Sequence, residues 1–573
     1  MCIRDSVSPR RYTALAPAIL GLLVVLTLCG VLAEVRLKTP SIGDYLKLSI
    51  DAHMAKSRAD EIMRQRGVDP NSYRHAVVFL NNTDPLVNEF MRERVGIAAL
   101  NDIYASEVPG ALWRIRYFRD SQKEEHAVIL KPDGSLRSVW HVLPEDAPGA
   151  QLTKEAAVAL GEKFLQDEKH LDLRQWKLVD AESEKRPHRV DHTLVWEQTQ
   201  ALTPARMGLG DPADEAHARV RLQVLGEEVT DYQTFIKIPD EWSRKQQAMT
   251  VPRLALAYGV PVLLFAAMTI IMLVAFLRNL KSAAATGIPW RRVALWSAWA
   301  LLAFFVAFAL GNGIPEVLNQ YQTEQPLKLT LGVTAIGVLL GGPFYFAGLT
   351  LLFGVAWFYA RRAFEEDQMP GWLGMPVDYY RDALFIGVGG TAALAALRRL
   401  VWTAFLHWPT MHREVPASFG DSFDAISPAA SILAHGLMRA LLFTGLIAAL
   451  AAFVAACMPQ TWLRTGLFLG GAVALVGGSW GNGADLAKQF IVEVIVLGAI
   501  VLGVRYVMKF NLLGCFLVVA GSTLLGAVSE LMEQPEAFYR LNGYVILAVL
   551  AILLAWPLLA WLFPKPTARG VAC

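Results

Sequence analysis

Apolar runs of membrane-spanning length recur along most of this chain, and one long polar stretch interrupts them. Thr13 to Ala33 carries no charge, and about 20 apolar residues cross roughly 30 Å of hydrocarbon as a helix. Residues 34–252 are polar. Apolar segments then return at Leu254–Leu277, Val293–Gly311, Leu329–Ala360, Ala383–Leu397, Pro428–Cys457, Gly466–Gly478, Phe490–Val507, Asn511–Val528 and Tyr544–Phe563. The pattern predicts a polytopic α-helical membrane protein of about ten spans, with an α+β domain inserted after the first span. The expected layout is a tail at 1–12, an anchor at 13–33, the polar domain at 34–252, a multi-span helical domain at 253–563 and a second tail at 564–573.

Within the polar block the periodicity changes twice in the same order. Ala52–Arg66 reads as a helix stopped by Gly67, followed by strand-like Ala76–Leu80 and Leu112–Phe118. A hairpin then runs from Ala127 to Val142, turning at Pro132, Asp133 and Gly134. Helical Lys154–Leu165, strand-like Trp176–Ala181 and Thr193–Glu197, and a hairpin from Val220 to Ile238 turning at Gly226 repeat that order. Halves at 46–148 and 149–245 follow, each carrying an aromatic at the same place after its turn, Trp140 and Tyr232.

Composition and charge refine this picture. Hydrophobic residues make up 54% of the chain and charged residues 18%, too apolar for a soluble protein and too polar for spans alone. The formal charge of +2 gives no reason to expect a nucleic-acid partner, so the expected partner is the lipid bilayer, and the position of the cations carries the information. Arg10 and Arg11 before the first span put the amino terminus inside as a retained anchor and residues 34–252 on the outer face. Arg278, Lys281, Arg291, Arg292, Arg361, Arg362, Arg464, Arg505, Lys509, Lys565 and Arg569 then fall inside, and Glu530, Glu533 and Glu536 outside. The expected location is a bacterial cytoplasmic (inner) membrane. Arg398 and Arg399 interrupt the scheme on the outer side, where Leu400–Trp408 reads as an interfacial or re-entrant piece. None of the five cysteines lies in the polar block, which excludes a disulfide scaffold there. The opening Met1 to Ser6 reads as a translated sequencing adapter, outside the fold.

Candidate chemistry is sparse. Ionisable residues at membrane depth face a bundle interior or a wet cavity, and Glu493, with His435 and Arg439 four apart on one helix face, are the candidates. His188 and His192 form the only paired-histidine spacing in the polar block. No Glu follows His188, so this is not a zinc-peptidase helix. Phosphate-binding loops and Cys-x-x-Cys sites are absent from the sequence, and no cofactor or metal is expected.

The helix-then-sheet order of each half, closed by Leu143-Pro144-Glu145 and Ile238-Pro239-Asp240, resembles tandem PepSY-like modules. That likeness implies binding or restraint of a protein or peptide ligand outside the membrane. Glu184 to Pro187, Asp191 to Trp196, Phe235 to Trp242 and Tyr379 to Leu384 resemble bacterial CPBP proteins, the intramembrane proteases related to type II CAAX endopeptidases. Such a resemblance implies a Glu-Glu-x-x-x-Arg motif and two histidine motifs that activate water. Pro459, Gln460 and Arg464 occupy the motif positions, so the arginine is in register and both glutamates are gone; no histidine follows His435. Gln460 cannot take up a proton as a general base. Glu365 to Asp367 and Glu536 to Arg540 restore no complete motif. The implied protein is a non-catalytic scaffold or partner-binding envelope protein; the alternatives are an active intramembrane peptidase with displaced residues and a transporter or channel component.

Overall fold

The computed structural model describes residues 13–37, 39–203, 215–248, 250–363, 375–407, 422–478, 480 and 482–563. The expectations placed on residues 1–12, 365–371 and 564–573 lie outside them.

The first span, α1 (Pro17–Arg36), starts with proline at its first position, where the missing N–H costs nothing. In the extramembrane domain, α2 (Ala52–Gln65) begins where the Asp51 carboxylate accepts from Met54 N. Chain reversal follows at Gly67, φ 78°. Strands β1 (Arg74–Asn81), β2 (Ala111–Phe118), β3 (Glu125–Leu130) and β4 (Leu136–Val142) form an antiparallel meander in that order. Between β1 and β2 the chain makes two helices, α3 (Pro85–Arg94) and α4 (Gly96–Ser106). The second unit repeats the plan without that insertion. It comprises α5 (Lys154–Asp167), capped by Thr153, and the meander β5 (Trp176–Lys185), β6 (Val190–Gln198), β7 (His217–Leu225) and β8 (Glu228–Lys237). The expected strands and both hairpins form, and Gly134 and Gly226 take the left-handed φ of 84° and 63° that their turns require. The two sheets meet along β4 and β8.

A short helix, α6 (Asp240–Gln247), leads into the membrane domain. Its helices are α7 (Val251–Arg278), α8 (Trp290–Leu310), the short α9 (Gly313–Gln320), α10 (Leu327–Arg362), α11 (Val377–His407) and α12 (Pro428–Cys457), then α13 (Thr461–Val476), α14 (Gly483–Met508), α15 (Leu512–Met532) and α16 (Ala537–Leu562). With α1, nine of those described are long and apolar enough to cross a membrane, which makes this a polytopic helical membrane protein. The tenth expected span, α13, is an apolar helix of only 16 residues. A second correction concerns Leu400 to His407, which continue α11 as one helix and make no separate re-entrant piece.

Helices α1, α8, α10, α11, α12, α15 and α16 pack into one bundle, whereas α13 and α14 pack on each other beside α7. Small residues set the close crossings. A Cβ built on Gly30 of α1 would stand 2.5 Å from the Ala392 carbonyl oxygen of α11, and one on Gly389 would stand 2.9 Å from Leu23. At the end of α1 away from the domain, Leu15 N–H donates to the buried Asp382 carboxylate at 2.7 Å, itself paired with Arg381. At the other end Arg399 of α11 holds Glu34 at 2.6 Å.

One continuous core joins domain and bundle. Ala55, Ala59 and Met63 of α2 and Trp113, Ile115 and Val128 of the first sheet share a cluster with Phe423, Leu524, Val528, Tyr539 and Ile546 of the membrane half. A second cluster joins Phe90 and Leu100 of the inserted helices to Ala218 and Ile236 of the second sheet and to Phe405 near the end of α11.

Candidate functional site

The residues singled out for membrane chemistry sit on separate elements. Gln460 is exposed at the start of α13, beside exposed Pro459, and Arg464 donates through Nε to the Met458 carbonyl at 2.6 Å, closing the end of α12. Glu493 is half-buried near the middle of α14, the helix that packs on α13. His435 and Arg439 share an exposed face of α12 in its domain-side half, and His435 Nδ1 donates to the Ser431 carbonyl at 2.9 Å. Of the weak metal pair, His188 is exposed at the β5–β6 turn, while His192 is buried with its ring nitrogens on Ser183 Oγ at 2.8 Å and the Leu152 carbonyl at 3.1 Å.

Polar side chains do converge where the domain meets the helix ends. Arg116 of β2, buried, donates from Nη1 to the carbonyls of Leu318, Asn319 and Tyr321 at 3.1, 2.7 and 2.8 Å, while Glu125 takes its Nε at 2.7 Å. Those carbonyls lie at the carboxyl end of α9, where the helix dipole favours a cation. Asp120 accepts from Leu327 N at 2.9 Å at the start of α10. Asp424, in the link before α12, accepts from Phe79 N of β1 at 2.9 Å and from Asn312 Nδ2 at 2.5 Å. Burial pushes its carboxyl up to about 6, against the Phe79 N–H that opposes the shift. Leu48 N donates to Gln534 Oε1 at 2.9 Å, Tyr539 OH to the Phe423 carbonyl at 2.9 Å, and Trp402 Nε1 to the Pro40 carbonyl at 3.1 Å. Arg92 lies over the Phe405 ring at 4.5 Å. The domain is thus fastened to the ends of α1, α9, α10, α11, α12, α15 and α16.

A second convergence lies on the seam between the sheets. His126 of β3 faces His141 of β4 as a direct cross-strand pair, their rings stacked at 4.3 Å. Glu124 Oε1 reaches His141 Nε2 at 3.3 Å. Glu228, the first residue of β8, reaches His141 Nδ1 at 3.0 Å from the other sheet. Tyr73 OH lies 3.5 Å from His126 Nε2. Burial, and then the neighbouring His141, push His126 down to about 4, so it is neutral at pH 7. Burial also disfavours charge on His141, but the hydrogen bonds and charges of Glu228 and Glu124 together outweigh it and raise its pKa.

The sequence reading missed this cluster, although a signal existed. A hairpin centred between Asp133 and Gly134 pairs residues whose numbers sum to a constant, and the observed register sets Ala127 opposite Trp140 and His126 opposite His141. Glu228 had no such signal, because its approach depends on how two sheets meet. No protein-family model, curated protein or solved structure matches this chain.

Proposed function

We propose that this chain is a non-catalytic membrane scaffold of the bacterial envelope. In this reading the PepSY-like extramembrane domain, on the outer face, binds a protein or peptide partner, and the helix bundle is its mount. The observation that carries the reading is the shared core and ring of buried polar contacts between domain and helix ends. Such a joint would transmit force from a bound partner to the helices. Gln460 in place of a motif glutamate, and the lack of any histidine after His435, support a bundle resembling CPBP proteases without their chemistry.

Co-expression with tethered membrane reporters, followed by assay of purified protein on peptide substrates, tests the proposal. No cleavage is expected, and Arg464→Ala and Glu493→Gln should change nothing in either assay. Turnover abolished by either substitution would establish a peptidase instead. A second reading, a transport component, is favoured by the exposure of Arg439 and His435 on a helix long enough to span. Ion or proton flux in proteoliposomes that Arg439→Gln abolishes would select it over the scaffold.

A further inference from the structure

Glu124, His126 and His141 offer ligand atoms that all lie within 4.8 Å of one another. Nitrogen and oxygen ligands of a tetrahedral zinc ion stand about 2.0–2.1 Å from it, hence roughly 3.4 Å from each other. His141 Nε2 and Glu124 Oε1 already satisfy that spacing at 3.3 Å, so only His126 must close in. The rest of the arrangement also suits an ion. Glu228 holds His141 through the nitrogen facing away from Glu124, the carboxylate–imidazole contact that fixes a ligand's tautomer and orientation in metal sites. Two imidazoles and a carboxylate are a borderline donor set, suited to zinc, cobalt, nickel or copper and poorly suited to calcium or magnesium. The two carboxylates, Glu124 and Glu228, balance a divalent charge.

We propose that Glu124, His126 and His141 bind one divalent zinc-type ion on the first sheet, with Glu228 of the second sheet orienting His141. His126, buried and edge-on to the Tyr73 ring at 81°, turns out of the stack to complete the site, while half-buried His141 keeps its contacts with Glu124 and Glu228. Glu124 and Glu228 lie toward solvent, which gives the ion its entry. This inference is independent of partner binding and of any role for the bundle.

The test uses full-length protein purified in detergent through a tag lacking histidine and stripped with chelator. Zinc is titrated in competition with a chromophoric chelator, and cobalt is added for its visible d–d absorption. One ion per chain is expected, with a cobalt spectrum of low-symmetry nitrogen and oxygen ligation. His126→Ala and His141→Ala should each abolish the spectrum, and Glu228→Gln should weaken zinc roughly 10–100-fold. His188→Ala should leave binding unchanged. Zinc, but not calcium, should raise the melting temperature of the parent protein and not of Glu124→Gln. Substoichiometric zinc in the parent protein, or full binding retained by both histidine variants, overturns the proposal. If a histidine variant fails to fold, the paired measurements on Glu228→Gln and Glu124→Gln decide, and unchanged affinity and melting in both overturn it equally.

Discussion

Asp424 shows how much one side chain contributes to the joint. It is buried between a strand N–H and Asn312, and its carboxyl is pushed up to about 6 from 3.8. A carboxyl raised on folding binds its proton more tightly in the native state, so its contribution is full below about pH 4 and is lost as pH rises through about 6. The shift corresponds to on the order of 3 kcal/mol. Thermal unfolding in detergent at pH 5 and pH 8 should show the parent protein losing a few degrees at the higher pH from this group. Asp424→Asn, which still accepts the Phe79 N–H, should lose that difference and melt higher at pH 8; an unchanged difference would refute the assignment. Nothing in the sequence marks Asp424, because its burial arises from a strand more than three hundred positions earlier. Arg464 was legible as a position, yet its partner is the Met458 carbonyl, a local cap that a motif comparison cannot distinguish from a catalytic contact.

At the scale of elements, the strands and most helices could be read because each buries one face at its own period. The inserted pair α3 and α4 was not read, although Asp84 and Pro85 supply a cap and a first-turn proline and the Asp84 carboxylate accepts from Leu86 N. Both helices are short and separated by Gly96 at φ 84°, so neither has enough turns to show a period. The end of α11 was misread for a tertiary reason. Arg399 is paired with Glu34, and Phe405 is covered by α3, α4 and the second sheet, so charges that would end a span in lipid continue a helix into protein. Phe405→Ala should cost about 3–5 kcal/mol of local packing. Hydrogen exchange should accordingly speed up over residues 85–106 while the amides of the bundle centre keep their protection; equal protection in both proteins would contradict the docking of α11.

For the whole molecule, alternating helices put Arg278, Lys281, Arg361, Arg362, Arg464, Arg505 and Lys509 at the bundle end opposite the domain. In the reading proposed above, the positive-inside tendency then predicts a domain on the outer face. In a cysteine-free background, Ser57→Cys on the exposed face of α2 should react with a membrane-impermeant maleimide on intact cells, and Thr461→Cys at the start of α13 only after lysis. The reverse pattern would invert the topology. The polytopic helical character was legible because hydrocarbon forces every backbone polar group into a helix, whereas the count read ten spans against nine described helices of spanning length. The site was less so, since the joint and the seam each depend on residues brought together from distant parts of the chain.

The first span is bonded to α11 just before its start through Leu15 and Asp382 and near its end through Glu34 and Arg399, with glycines meshed between. A rod tied to its neighbour at top and bottom cannot serve as a swivelling tether. The first and fifth spans therefore stand as one strut, and because α11 is packed against α15 and α16 as well, a pull on the domain is shared with the bundle and not carried by one loose helix.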